Sequence, residues 1–135
     1  MKKTIILSFL IFSLFSCVDN KYLTLDKKLY ATISTKIDTL TAALTEIEKT
    51  KDEKELMLKF KKTRKEYKKI EPFIEYYFQG LSRRINGPAL PEIKTDDNIV
   101  NDASGFQVIE EIIFSGDVDL KELKKQVRVL KTDLK

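Results

Sequence analysis

A chain of 135 residues with 25 Lys and Arg, 21 Asp and Glu and no His has room for one domain and a nearly balanced charge. Without the two lysines of the N-terminal segment, 23 basic side chains face 21 acidic ones, a net charge of +2, which is too small for a concentrated nucleic-acid-binding face. The absence of His and the presence of a single Cys exclude Ser-His and Cys-His nucleophilic catalysis, His-based zinc sites and haem ligation by this chain.

The N-terminal segment has the pattern of a secretory signal. A basic start is followed by an apolar run from Thr4 to Phe15, which is too short to span a bilayer as a helix. The small residue Ser16 then precedes Cys17, as in the lipobox of bacterial lipoproteins. We therefore predict that residues 1–16 are a lipoprotein signal peptide and that Cys17 is lipidated, with palmitate or similar acyl chains. The mature chain would be anchored in the cell envelope, on the periplasmic side or at the cell surface; the alternative is a plain signal peptide that leaves a free thiol.

The first helix is predicted to follow a short tether over residues 17–24. From Leu25 to Ile47, apolar residues recur at steps of three and four, which is the spacing of one helix face. Asp52, with Glu55 three residues later, fits a capping pair that starts a second helix. The two helices are therefore predicted to be joined by a tight turn and to pack antiparallel.

The second helix is predicted to run to about Gln79 and to end at Gly80. Its apolar residues from Phe60 to Phe78 keep helical spacing, but Pro72 lies within this stretch. Proline removes a backbone donor and clashes with the carbonyl group four residues earlier. We therefore predict a kink beside Glu71.

A long loop is predicted over residues 82–103, where turn-forming residues are frequent. Four apolar residues are expected to hold it against the core: Leu90, Ile93, Ile99 and Val100. The third helix is predicted to start at Ser104, which forms a capping box with Gln107, and to end at Gly116.

Asp119 and Glu122 predict the start of a fourth helix, whose apolar stripe is still running at the last residue. We therefore expect Val127, Leu130 and Leu134 to lack part of their cover and the domain, residues 25–135, to be truncated at its C-terminus. The predicted fold class is all-α, an antiparallel bundle of about four helices with one long loop.

Three charged residues are candidates for a buried polar cluster. Arg64 and Glu71 are seven residues apart and would share one face of the second helix, and Glu110 lies on the helix expected to cover that face. An ion-paired cluster is the favoured interpretation, because arginine neutralises a buried carboxylate well through paired hydrogen bonds. The alternative is a metal site at Glu71 and Glu110.

The aromatic residues Phe73, Tyr76, Tyr77 and Phe78 lie at and after the predicted kink. The favoured interpretation places them in the core, with the two tyrosine hydroxyl groups reaching the surface. The alternative is a surface that binds a partner protein, since aromatic residues are enriched at interfaces.

Three motifs occur in order: Ile70-Glu71-Pro72-Phe73, Asn86-Gly87-Pro88 and Gly105-x-Gln107-x-x-Glu110. Together, over about residues 25–130, they resemble the imelysin-like helical region that precedes the haem domains in one group of di-haem cytochrome c peroxidases. In imelysin-type proteins the last motif reads Gly-x-His-x-x-Glu, and its His and Glu are linked to metal binding. This chain has Gln107 at the His position.

The resemblance implies an envelope-anchored helical module, itself haem-free and non-catalytic, that contacts a haem peroxidase domain or another redox protein. Two alternatives are a small imelysin-like lipoprotein that binds a metal such as iron, and a helical adaptor without a ligand.

The lipid anchor yields the first testable prediction. Changing Cys17→Ser should leave the protein unprocessed or soluble, because two or more acyl chains are needed for stable membrane binding. Cells grown with a clickable palmitate analogue would be fractionated, and label and protein followed together. The control Ser16→Ala keeps a small residue before Cys17 and should remain labelled. A Cys17→Ser protein that is still labelled and membrane-bound would disprove the assignment.

Overall fold

The structure is a computed structural model that describes residues 20–94 and 99–135. The predicted signal peptide and Cys17 lie outside the described residues. The chain divides into two compact units, Met1–Thr32 and Ile33–Lys135. The first unit is described from Asn20 onwards and is helical there, so residues 20–24 are helix rather than the predicted tether.

The all-α fold class is confirmed. Six helices and two short strands make up the described residues: α1 Asn20–Lys49, α2 Glu53–Lys68, α3 Glu71–Tyr77, α4 Gln79–Ile85, β1 Glu92–Lys94, β2 Ile99–Asn101, α5 Phe106–Phe114 and α6 Leu120–Asp133. The two strands pair antiparallel, with Ile93 opposite Val100. No helix in the described part of the chain combines the length and apolarity needed to cross a bilayer.

Two of the predicted helix starts are confirmed by their caps. The Asp52 carboxylate accepts a hydrogen bond from the backbone N–H of Glu55 at 2.8 Å and so caps α2. The Asp119 carboxylate accepts from the N–H groups of Lys121 and Glu122 at 2.9 and 3.0 Å and caps α6. Each cap satisfies backbone donors that the helix itself cannot pair and stabilises it by about 1 kcal/mol.

The predicted kinked helix is two separate helices. The backbone N–H groups of Lys69 and Ile70 bond to carbonyl groups three residues back, which tightens the last turn of α2 and ends it. Pro72 then lies in the first turn of α3, where its missing N–H is not needed. The prediction that Gly80 ends a helix is wrong, because the chain already leaves the helical conformation at Phe78 and α4 includes Gly80.

The start of α5 depends on Gly105, which has a positive φ of 76°. A Cβ atom there would collide with the backbone carbonyl oxygens of Arg84 and Ile85, so only glycine lets α5 begin against the end of α4. The predicted capping box of Ser104 and Gln107 is wrong. The cap residue is Gly105, which has no side chain that could accept a hydrogen bond, and Gln107 is exposed. The predicted end of this helix is confirmed: α5 stops at Phe114, and Gly116 follows with a φ of 86°.

The second unit has one apolar core, to which all of its helices contribute. Its fully buried members include Leu44 from α1, Tyr67 from α2, Ile85 from α4 and Ile113 from α5. The expectation that the end of α6 lacks cover is wrong. Three residues of its stripe are buried, since α4 and α5 pack against this helix: Val127, Leu130 and Leu134.

The predicted long loop includes secondary structure, namely the end of α4 and the β1–β2 pair. The backbone N–H of Ser104 bonds to the carbonyl of Pro88 at 3.2 Å, which joins the residues before β1 to those after β2. The expectation that apolar residues hold it against the core is wrong for three of the four, because these side chains are exposed: Leu90, Ile93 and Val100. The side chain of Ile99 lies outside what the structure describes.

Candidate functional site

The side chain of Arg64 lies against two aromatic rings and an amide. Its guanidinium carbon is 4.9 Å from the centroid of the Phe106 ring and 5.7 Å from that of the Tyr67 ring. Its Nη1 donates a long hydrogen bond, 3.4 Å, to Oδ1 of Asn86. Because Arg64 is half-buried, the attraction between its charge and the ring faces is stronger than it would be in water. Arg64 thereby connects α2 with the end of α4 and the start of α5.

The predicted ion-paired cluster of Arg64, Glu71 and Glu110 is wrong. Glu71 pairs with Lys68, with 2.6 Å between Oε2 and Nζ, while Glu110 is exposed and has no ion pair among the described residues. One reason is that Lys68, one turn after Arg64 on the same face of α2, is the basic residue that pairs with Glu71. The other is that Phe106, one turn before Glu110, is the residue of α5 that reaches Arg64.

The alternative metal site at Glu71 and Glu110 stays a prediction. In residues 20–94 and 99–135, no group of three or more Asp, Glu, Cys or His side chains is arranged to hold a metal ion. Gln107, at the position of the metal-linked His in the resembled motif, is exposed on α5.

Tyr67 is fully buried at the centre of the domain. Its hydroxyl accepts a hydrogen bond from Nδ2 of Asn86 at 2.8 Å, and its ring lies 5.0 Å from that of Phe106. Burial disfavours the phenolate and raises the pKa of Tyr67 to about 12. Asn86 therefore serves both partners of the network: its oxygen accepts from Arg64 and its nitrogen donates to Tyr67.

Three exposed aromatic residues and a half-buried one form a surface on and just after α3, which we call the aromatic surface: Phe73, Tyr76, Tyr77 and Phe78. The last three are 75%, 60% and 52% exposed, so the prediction that this group belongs to the core is wrong for them. Phe73 is half-buried and packs against the core. Its ring is 4.8 Å from that of Tyr77 and 6.0 Å from that of Phe78, and the rings of Tyr76 and Tyr77 are 4.7 Å apart. The exposed rings are thus held in a contiguous cluster by a ring that is fixed to the core.

Comparisons with protein-family models, curated proteins and solved structures find no match to this chain. The resemblance to the imelysin-like region of di-haem peroxidases therefore stays a prediction that rests on the three sequence motifs.

The buried phenol predicts a specific alkaline instability. As the pH rises from 10 to about 12, the unfolded state loses the Tyr67 proton while the folded state keeps it, so the free energy of unfolding falls. The loss is at most about 1.4 kcal/mol per pH unit. Urea unfolding of Tyr67→Phe at several pH values should show a smaller alkaline loss than the wild type, although the variant starts less stable because Asn86 loses a partner.

The exposed Tyr30 provides the matched control for this experiment. Tyr30→Phe should keep the wild-type pH dependence, and the deprotonation of lysines is common to all three proteins and cancels in the comparison. Equal alkaline losses in the wild type and in Tyr67→Phe would show that Tyr67 does not titrate as a buried group.

Proposed function

We propose that this chain is an envelope-anchored, non-catalytic helical module that binds a haem-containing redox protein through the aromatic surface. The lipid chains on Cys17 would supply the anchor. The nature of the partner follows from the motifs that resemble the helical region of di-haem cytochrome c peroxidases. The observation that carries the proposal is the joint exposure of Tyr76, Tyr77 and Phe78 on one surface of a domain that buries Phe60, Tyr67 and Phe106.

The contrast within the domain supports a binding role for these rings. Phe60, Tyr67 and Phe106 are at most 2% exposed, and the first two pack against the ring of Phe106 in the core. Burial of a large apolar side chain stabilises a protein by roughly 1.5 to 3 kcal/mol, and a ring left in water lacks this stabilisation. A partner that covers the ring in an interface provides it. A cluster of exposed rings is therefore favoured when a partner covers it.

The way in which the rings are held also favours binding. Phe73 packs on the core and contacts two of the exposed rings, so the surface has a defined shape before a partner arrives. Less side-chain freedom is then lost on association, which leaves more of the interaction energy for affinity. Tyrosine adds a hydroxyl group that can be hydrogen-bonded across an interface.

Two carboxylates form ion pairs that stabilise the helices around the core. A hydrogen bond from Arg128 lowers the pKa of Glu48, which joins α1 to α6, with 2.7 Å between Nε and Oε1. A hydrogen bond from Lys69 lowers the pKa of Glu66 at the end of α2.

Site-specific photo-crosslinking in intact cells tests the proposal. A photoreactive phenylalanine analogue in place of Tyr76 or Tyr77 should give a discrete adduct that stains for haem, because these positions face the partner. The control is the same analogue at Leu58, which is 70% exposed on α2 and away from the aromatic surface in sequence. Adducts of equal yield from Leu58 and Tyr76, or haem-free adducts only, would contradict the proposed function.

A further inference from the structure

We propose that the first turns of α1, residues 24–32, lie flat on the surface of the membrane that holds the anchor. The headgroup region of that bilayer covers their apolar face, and anionic lipids bind more strongly than neutral ones. This inference rests on the lipid anchor of the proposed function, and it extends that function by assigning a second, protein-mediated contact with the membrane.

The apolar repeat of α1 is the first observation. In the second unit its members Leu40, Leu44 and Ile47 are fully buried. In the first unit the same repeat continues, but Leu25 is 63% and Leu29 44% exposed. Adjacent to them on the helix, Tyr30 is 77% exposed. The apolar repeat of α1 therefore continues over its first turns, where these large apolar side chains are exposed to water.

The geometry of the helix places these residues together. Leu25 and Leu29 are four residues apart and so lie one above the other on one face, while Tyr30 points about 100° away from Leu29 around the helix. A helix with such a face lies in the plane of a membrane interface and buries that face at the boundary of headgroups and acyl chains. Tyrosine suits this boundary, since its ring is apolar and its hydroxyl is polar.

The charge of the segment is the second observation. Residues 20–32 contain three lysines and one acidic residue, Asp26, which gives a net charge of +2. Lys28, exposed next to Leu25 and Leu29 on the helix surface, can extend along the apolar face toward lipid phosphate groups. Asp26 borders the same face. Because the transfer of its carboxylate into hydrocarbon costs free energy, the helix is confined to the headgroup region.

The proposed lipid anchor favours a membrane over another binding partner for the apolar face of α1. Cys17 is only three residues before Asn20, where α1 begins, and three residues span at most about 11 Å. Leu25 follows one and a half turns later, about 8 Å further along the helix. With acyl chains on Cys17 in the bilayer, the apolar face is held at high effective concentration beside the lipid, so a weak affinity is sufficient for binding.

Depth-dependent quenching in vesicles tests this inference. The full lipidated chain carrying Leu29→Cys would be labelled with a small fluorophore and reconstituted in phosphatidylcholine vesicles with and without phosphatidylglycerol. Cys17 does not react with the label, because its sulfur is bonded to diacylglycerol in the lipidated chain. The matched control is Lys27→Cys, on the opposite side of the same helical turns. Leu25→Cys serves as a second probe of the apolar face, and circular dichroism checks that each labelled protein is helical.

Lipids brominated near the headgroup should quench the probes at positions 29 and 25 at least about twofold more than the probe at position 27, and more strongly with phosphatidylglycerol present. Equal quenching at the two faces of vesicle-bound protein overturns the interfacial helix and leaves the anchor intact. Self-quenching between neighbouring copies, without quenching by lipid, also overturns it and assigns the face to a second copy of the chain. Protein that does not bind vesicles at all overturns both the anchor and this inference.

Discussion

The packing of Phe106 at the start of α5 is the contact on which the rest of the second unit depends. This ring is fully buried and touches the rings of Phe60 and Tyr67 and the guanidinium group of Arg64. It reaches that position because Gly105 lets the backbone approach the end of α4 more closely than any other residue allows. With α5 seated in this way, α6 can pack on it and bury its own apolar stripe. The domain is therefore organised around an aromatic and cationic centre rather than around an ion pair.

This centre explains why the chain can leave other aromatic residues in water. Phe60, Tyr67 and Phe106 fill the space between α2 and α5, and Ile74 is the residue of α3 that enters the core completely. Of the rings on α3, Phe73 packs against the core, whereas Tyr76 and Tyr77 at its end are exposed. Phe78, where the chain leaves the helical conformation, is exposed as well. A domain built in this way combines a stable interior with a surface suited to a partner.

The sequence predicted the features that depend on neighbouring residues. Helical periodicity gave the all-α class, and the Asp52 and Asp119 caps could be predicted because a cap needs only a side chain and the N–H groups that follow it. The partner of Arg64 could not be predicted in this way. Arg64 contacts Asn86 and Phe106 rather than Glu71 and Glu110. These contacts depend on where α2 ends and on how closely α5 approaches α4, which are properties of the packed structure.

The aromatic surface is an intermediate case. Tyr76 and Tyr77 are consecutive, and two consecutive helical residues point about 100° apart, so both could not have faced the core. This signal was present in the sequence, but the same spacing also fitted a continuous helix from Glu53 to Gln79. The break at Lys69 and Ile70, just before Pro72, divides that expected helix into α2 and α3.

We expect Arg64 to stabilise the domain through Phe106 and not through a carboxylate. A double-mutant cycle measured by urea unfolding of the chain from Val18 onwards tests it most directly, with Arg64→Met combined in turn with Phe106→Leu and with Glu71→Gln. We expect a coupling energy of about 0.5 to 2 kcal/mol between Arg64 and Phe106. Between Arg64 and Glu71 we expect coupling within about 0.5 kcal/mol of zero. A coupling of about 3 kcal/mol with Glu71 and none with Phe106 would contradict the account and restore the buried ion pair.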